Sequence, residues 1–139
     1  RKDNIMFAID KNFRNAVIAA ITKQHNWNHG KNHVKCNGDE VLVSYFDDAN
    51  EKWSHRKTPG LNEIFWLDAS TKDFWLCNCG YYTRTTLLRI NDCLAAADLP
   101  LHVYMSKYSF CIKNTKTGKS WIAGDGKITR AMIAEHLMA

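Results

Sequence analysis

The pair Asn37-Gly38 stands between two apolar-rich runs in "HVKCNGDEVLVSYF". A two-residue hairpin turn prefers this dipeptide, because both of its central residues need φ > 0. Beyond it, Val41, Val43 and Tyr45 alternate with Leu42, Ser44 and Phe46. That is the period of a strand. A tight hairpin commits its two strands to antiparallel pairing, and the device recurs along the chain. "EIFWLD" and "DFWLCNC" flank "ASTK", and "LHVYMSKYSFCIKN" and "SWIAG" are joined by "TKTGK". Each reads as strands around a short turn. "DDANEKWSHRKTPG" reads as a polar loop closed by Pro59-Gly60.

Three helices punctuate this pattern. "DKNFRNAVIAAITKQHN" has Phe13, Val17, Ala20, Ile21 and Gln24 on one face, with Asp10 as the expected N-cap and Gly30 as the breaker. "TTLLRINDCLAAAD" follows Gly80, with Leu87, Leu88, Ile90, Cys93, Leu94 and Ala97 as its apolar face. "KITRAMIAEHLM" is the third, with Ile128, Met132, Ile133 and Leu137 as its buried stripe. The expected fold class is α+β. A mostly antiparallel sheet built of hairpins carries an N-terminal, a central and a C-terminal helix packed on it. No repeat or linker interrupts the chain, so residues 1–139 are expected to form a single domain.

With 45% hydrophobic residues, the chain has the material for a core. No apolar run reaches membrane-span length. "RKDNIMFAID" does not resemble an export signal, since charges flank a very short apolar patch. The five irregularly spaced cysteines then read as free thiols in a reducing compartment. Charge is segregated: residues 1–36 carry +5, residues 37–73 carry −4 and residues 74–139 carry +4. Basic ends suit contact with nucleic acid.

The sharpest metal pattern is "HNWNHGKNHVKC". His25, His29, His33 and Cys36 supply imidazole and thiolate ligands of the kind zinc takes. They form one crowded run rather than two separated ligand pairs. Cys77 and Cys79 form C-x-C, which strand alternation would place on one face, with Cys93 on the following helix. "TKTGKS" lacks the earlier glycine of a phosphate loop, since Lys113 stands there, and no helix follows it. Asp47, Asp48 and Glu51 lack calcium-loop spacing. No nucleophile motif occurs. The expectation is a protein that is not an enzyme and uses no cofactor.

Basic and aromatic residues together point to binding. Tyr82, Arg84, Arg89, Lys107, Tyr108, Lys113, Lys116 and Lys119 are the expected exposed set. The stretch "CGYYTRTTLLRIN" adds a resemblance. Gly80, Tyr81, Thr83, Thr85, Thr86, Arg89, Ile90 and Asn91 resemble a Gly-aromatic-x-Thr-x-Thr-Thr-x-x-Arg-aliphatic-Asn motif of small phage-encoded proteins. The resemblance implies a setting, a phage accessory protein in the host bacterial cytoplasm, and no catalytic role.

The leading expectation is a non-enzymatic protein that binds DNA or RNA through its basic C-terminal half. Arg84, Arg89, Lys107, Lys113, Lys116, Lys119 and Tyr82 are its contact residues. A second is an inhibitor of a host protein, a defence nuclease or a polymerase subunit, acting through Asp39, Asp48, Glu51 and Trp53. A third is a small zinc module using His25, His29, His33 and Cys36.

Overall fold

The structure, a computed structural model, describes residues 2–30, 32–45, 62–81 and 83–138, with side chains from Asn12 onward. Helix α1 spans Lys2–Lys23. The expected N-cap, Asp10, lies inside it, so the helix starts earlier in the chain than that reading placed it. Phe13, Ala16, Val17 and Ala20 are its buried face. Their spacing of three, four and seven residues places them on one side of an α-helix. Gln24, at φ 56, ends the helix by turning left-handed. Gly30 therefore serves elsewhere. With φ +59 it turns the chain between strands β1 (Trp27–His29) and β2 (Asn32–Asn37).

Strand β3 (Glu40–Tyr45) pairs with β2 as expected, but the turn sits one residue later than Asn37-Gly38. Asn37 pairs with Glu40, so Gly38 and Asp39 are the central residues, and of the two only Gly38 has positive φ. Strands β4 (Glu63–Asp68) and β5 (Phe74–Cys77) form the next hairpin. Its loop is held by Asp68, whose Oδ1 accepts from the Ser70 backbone N–H at 2.9 Å and the Ser70 hydroxyl at 2.6 Å.

Helix α2 (Arg84–Ala96) begins at Thr83, whose hydroxyl accepts from the Thr86 N–H at 3.3 Å. This is an N-cap. Its buried residues are Thr86, Arg89, Ile90, Asp92, Cys93 and Leu94. Leu88, expected inside, is 38% exposed, because the stripe through Thr86, Ile90, Cys93 and Leu94 passes it by.

Strands β6 (Leu101–Ser106), β7 (Ser109–Asn114) and β8 (Ser120–Ile122) follow. Then β9 (Lys127–Thr129) leads directly into helix α3 (Arg130–Leu137), capped by Thr129. The last helix is thus shorter than "KITRAMIAEHLM". Ile128 is buried on a strand, and Met132 is exposed at 36%.

The fold is α+β, with three helices and two antiparallel sheets among the described residues. One sheet has the order β1-β2-β3-β4-β5-β9 and the other β6-β7-β8. The sequence suggested one sheet. The separation has a visible cause in Asn91 of α2. Its Oδ1 accepts from the Val103 N–H at 2.7 Å and its Nδ2 donates to the Val103 carbonyl at 3.0 Å. A side-chain amide thus takes up backbone groups on the β6 edge that another strand would otherwise use.

One buried cluster joins both sheets and all three helices, from Phe13 and Val17 through Phe65, Leu76, Ile90 and Ile112 to Ile133 and Leu137. Filling one such position with Phe or Leu contributes about 1.5–3 kcal/mol. A smaller cluster, Leu42, Trp66, Trp75 and Cys77, is buried apart from it, and Trp66 Nε1 donates to Glu40 Oε1 at 3.1 Å. No helix among the described residues is long and apolar enough to cross a membrane.

Candidate nucleic-acid interface

The stretch from Leu99 to Gly124, which contains the whole β6-β7-β8 sheet, holds four lysines, one histidine and no Asp or Glu. Strand alternation divides its side chains between two faces. Leu101, Val103, Phe110, Ile112 and Asn114 are buried toward the core. His102, Lys113 and Ser120, in register with one another, are exposed on the opposite face. Beside them, Cys111 registers with Tyr104 and with Ile122, which is 67% exposed.

The two turns place the remaining lysines. Ser106 pairs with Ser109, leaving Lys107 and Tyr108 as a two-residue turn with φ 49 and 65. Both residues sit in the left-handed region that glycine and asparagine fill most readily. Holding two other residues there costs on the order of 1 kcal/mol each. The result is a Tyr108 side chain that is 99% exposed beside a lysine.

The β7–β8 turn is organised by buried Asn114. Its Oδ1 accepts from the Lys116 N–H at 2.9 Å and the Thr117 N–H at 3.3 Å, and its Nδ2 donates to the Leu137 carbonyl at 3.0 Å. Gly118 closes the turn at φ +78, and its N–H donates to the Asn114 carbonyl at 2.8 Å. One asparagine thus fixes both the lysine-bearing turn and its attachment to α3.

The structure therefore gathers Lys107, Lys113, Lys116 and Lys119 onto one sheet and its turns. Arg84 is exposed but opens α2, a different element. Arg89, expected to be exposed, is 6% exposed. Its guanidinium lies 4.7 Å from the centre of the Phe13 ring, and its Nη1 is 4.0 Å from Asp92 Oδ2. Helical spacing explains the burial, since Arg89 is three residues from Thr86 on the inward stripe. Tyr82 lies outside the described residues.

Other motif residues also bind α2 to its neighbours. Gly80 turns at φ +77, Thr83 caps, and Thr86 Oγ1 accepts from the Tyr45 hydroxyl at 3.4 Å. Burial, the largest influence, raises the Tyr45 pKa.

The histidine run does not converge. His25 is exposed beyond α1. His29 pairs with Asn32 across the β1–β2 hairpin, whereas His33 pairs with Asn28, so alternation sends the two imidazoles to opposite faces. His33 Nδ1 hydrogen bonds Asn28 Oδ1 at 2.8 Å, and the Cys36 thiol donates to the His25 carbonyl at 3.2 Å. Among the described residues, no group of three or more His, Cys, Asp or Glu is placed to hold a metal. Of the residues expected for an inhibitor, Asp39 is exposed in the β2–β3 turn. Asp48, Glu51 and Trp53 lie outside the described residues.

All five cysteines are thiols. Cys79 has φ 56, so strand alternation stops before it and C-x-C does not share a sheet face. Instead the Cys79 N–H donates to Cys77 Sγ at 3.3 Å, and the Cys79 thiol donates to the Glu63 carbonyl at 3.1 Å. Hydrogen bonding from Cys79, its side chain first and its backbone N–H after it, against the opposing effect of burial, brings Cys77 down to about 7. The same interaction, reinforced by burial, pushes Cys79 far up. Cys93 is wholly buried in the main cluster, and that burial raises its pKa.

A cleft runs along the other side of α2. One lobe, of about 360 Å³, is lined by residues that include Asn12, Phe13, Asn15, Trp27 and Arg89. The adjoining lobe, of about 450 Å³, is lined by Tyr45, Tyr81, Thr83, Thr85 and Thr86 among others. His29 and Asn32 belong to both.

Comparison with protein-family models, with curated proteins and with solved structures finds no match to this chain.

Proposed function

We propose that the protein is a non-enzymatic nucleic-acid-binding protein whose contact surface is the solvent face of the β6-β7-β8 sheet with its two turns. The observation that carries this reading is the run from Leu99 to Gly124, which has four lysines and no carboxylate side chain. Charge scattered at random over a surface would place acids among those lysines. Here a phosphate backbone would meet Lys107, Lys113, Lys116 and Lys119 with no opposing charge from the same segment.

The neighbouring aromatics favour a single strand. Tyr108 projects into solvent beside Lys107, and Tyr104 lies in register with Cys111 on the lysine face. Unpaired bases stack on such rings, whereas a duplex keeps its bases on one another. The setting, a phage accessory protein acting in bacterial cytoplasm, rests on the motif around Gly80–Asn91.

Fluorescence anisotropy with labelled single strands and duplexes of DNA and RNA tests this. Binding of a single strand at low salt is expected, with log affinity falling linearly against log salt. Undetectable binding at low salt, or affinity indifferent to salt, would sink the proposal.

A further inference from the structure

We propose that the cavity between the β4–β5 turn, the start of β6 and helix α3 binds a medium-length aliphatic chain headed by a carboxylate. The cavity holds about 280 Å³ and contains none of the lysines of the β6-β7-β8 sheet. Ligand sites of ~300–1,000 Å³ are usual, so a small, narrow molecule fits this one.

The walls are mainly aliphatic. Leu101, Ile133 and the Phe74 ring supply the buried part of the lining, with Leu99, Pro100 and Met138 around them. Among the described lining residues Phe74 is the one aromatic ring, so no pair of rings selects a flat ligand. A flexible alkyl chain suits such walls, because its burial depends on area and not on direction.

The charge at the cavity has one sign. Lys72 and Arg130 line it, and none of the described lining residues is Asp or Glu. The fold holds these two cations together. Arg130 Nη1 donates to the Thr71 carbonyl at 3.1 Å, which ties the first residue of α3 to the residue before Lys72. The turn carrying Lys72 is itself fixed, since the Lys72 N–H donates to the Asp68 carbonyl at 2.8 Å. Asp68 and Asp73, the carboxylates of that turn, accept from the Ser70 and Phe74 N–H groups. Among the described residues, neither Lys72 nor Arg130 forms an ion pair. Like charges held close together repel, and an anion between them offsets that repulsion. A carboxylate can accept from both at once. Both cations are exposed, so the buried chain supplies most of the affinity and the head group sets the preference.

Isothermal titration of the full chain at low salt, with straight-chain carboxylates from butanoate to dodecanoate, each beside its primary alcohol, tests this. Affinity should rise about fourfold per added methylene and level off once the chain fills the cavity. The best carboxylate is expected to saturate at about 1 mM or below, with its alcohol about tenfold weaker.

Lys72→Gln and Arg130→Gln should each weaken the carboxylate about threefold and leave the alcohol unchanged. Ala134→Trp, which brings a large ring to the lining from an exposed helix position, should abolish binding of both. Arg84→Gln removes an equal charge at the start of α2 and should change neither. Circular dichroism confirms that each variant folds. Saturation by no carboxylate overturns the proposal, as does affinity indifferent to chain length, equal affinity for carboxylate and alcohol, or undiminished binding by folded Ala134→Trp. A short peptide with a C-terminal leucine that binds more tightly than every fatty carboxylate would also overturn it, by assigning the cavity to a chain terminus.

Discussion

Arg14 of α1 clasps Asp92 of α2 with two hydrogen bonds to one oxygen, Nη2 at 2.7 Å and Nε at 3.0 Å. The pair is asymmetric: the Asp92 side chain is 6% exposed and that of Arg14 is 50% exposed. Removing Asp92 leaves the buried Arg89 without its carboxylate, whereas removing Arg14 leaves Asp92 with Arg89 still beside it. Asp92→Ala is therefore expected to destabilise the fold by about 3–5 kcal/mol. Arg14→Ala should cost about 1 kcal/mol. Urea denaturation of both variants checks the ratio, and equal losses would contradict it.

Thr83 holds the start of α2 through one hydroxyl. Thr83→Ala should cost about 1 kcal/mol, and Thr83→Ser should recover most of it, since serine caps as well. Thermal denaturation separates the two. An alanine variant as stable as the parent would show that Thr83 adds nothing as a cap.

The lysine sheet makes a prediction about salt rather than affinity alone. Lys113→Ala, Lys116→Ala and Lys119→Ala should each reduce the slope of log affinity against log salt by about 0.7 on single-stranded nucleic acid. Lys23→Ala removes an equal charge at the end of α1 and should leave the slope unchanged. Anisotropy titrations at several salt concentrations distinguish a local surface from bulk charge.

Cys77 ties stability to pH. Its folded value of about 7 lies below its ordinary 9.0, so the folded state holds the thiolate more readily than the unfolded chain does. The contribution is present above the unfolded value and is lost as pH falls through the folded one. The parent protein should therefore gain stability between about pH 7 and pH 9. Cys77→Ser should lack that gain. Cys79 opposes it only above the ordinary thiol range, because its own shift is upward. Cys79→Ala should raise the Cys77 midpoint, read from thiolate ultraviolet absorbance.

Much of the fold was legible in the sequence, and the exceptions have physical causes. Hairpins around Gly38 and "ASTK" were visible because period-two alternation and turn residues agree there. The β9 strand was not, because three residues carry no period of their own. Lys127–Thr129 is a strand only because β5, far earlier in the chain, offers an edge.

Arg89 was misplaced because its charge argued for solvent while its helical spacing argued for the core, and packing over Phe13 decided. Asn114 was missed as an organiser of the lysine turn, although asparagine ahead of a glycine-containing turn is a usable signal. The absence of acids from Leu99 to Gly124 and the strands that carry those lysines were readable, but their separation into a sheet of their own was not. The cleft could not be read at all, since its walls come from α1, β1, β2, β3 and α2.

The pairing of β5 with β9 sets an order of events. Leu76 meets Ile128 and Trp75 meets Thr129, so the edge of β5 stays open until the chain has passed through α2 and the whole lysine sheet. A ribosome releasing this protein would expose the Phe74–Cys77 backbone edge throughout that interval. Apolar strand edges recruit other chains. Closing this one late makes residues 127–129 a guard against self-association during synthesis, and a chain stopped before Lys127 is expected to aggregate rather than simply lose its last helix.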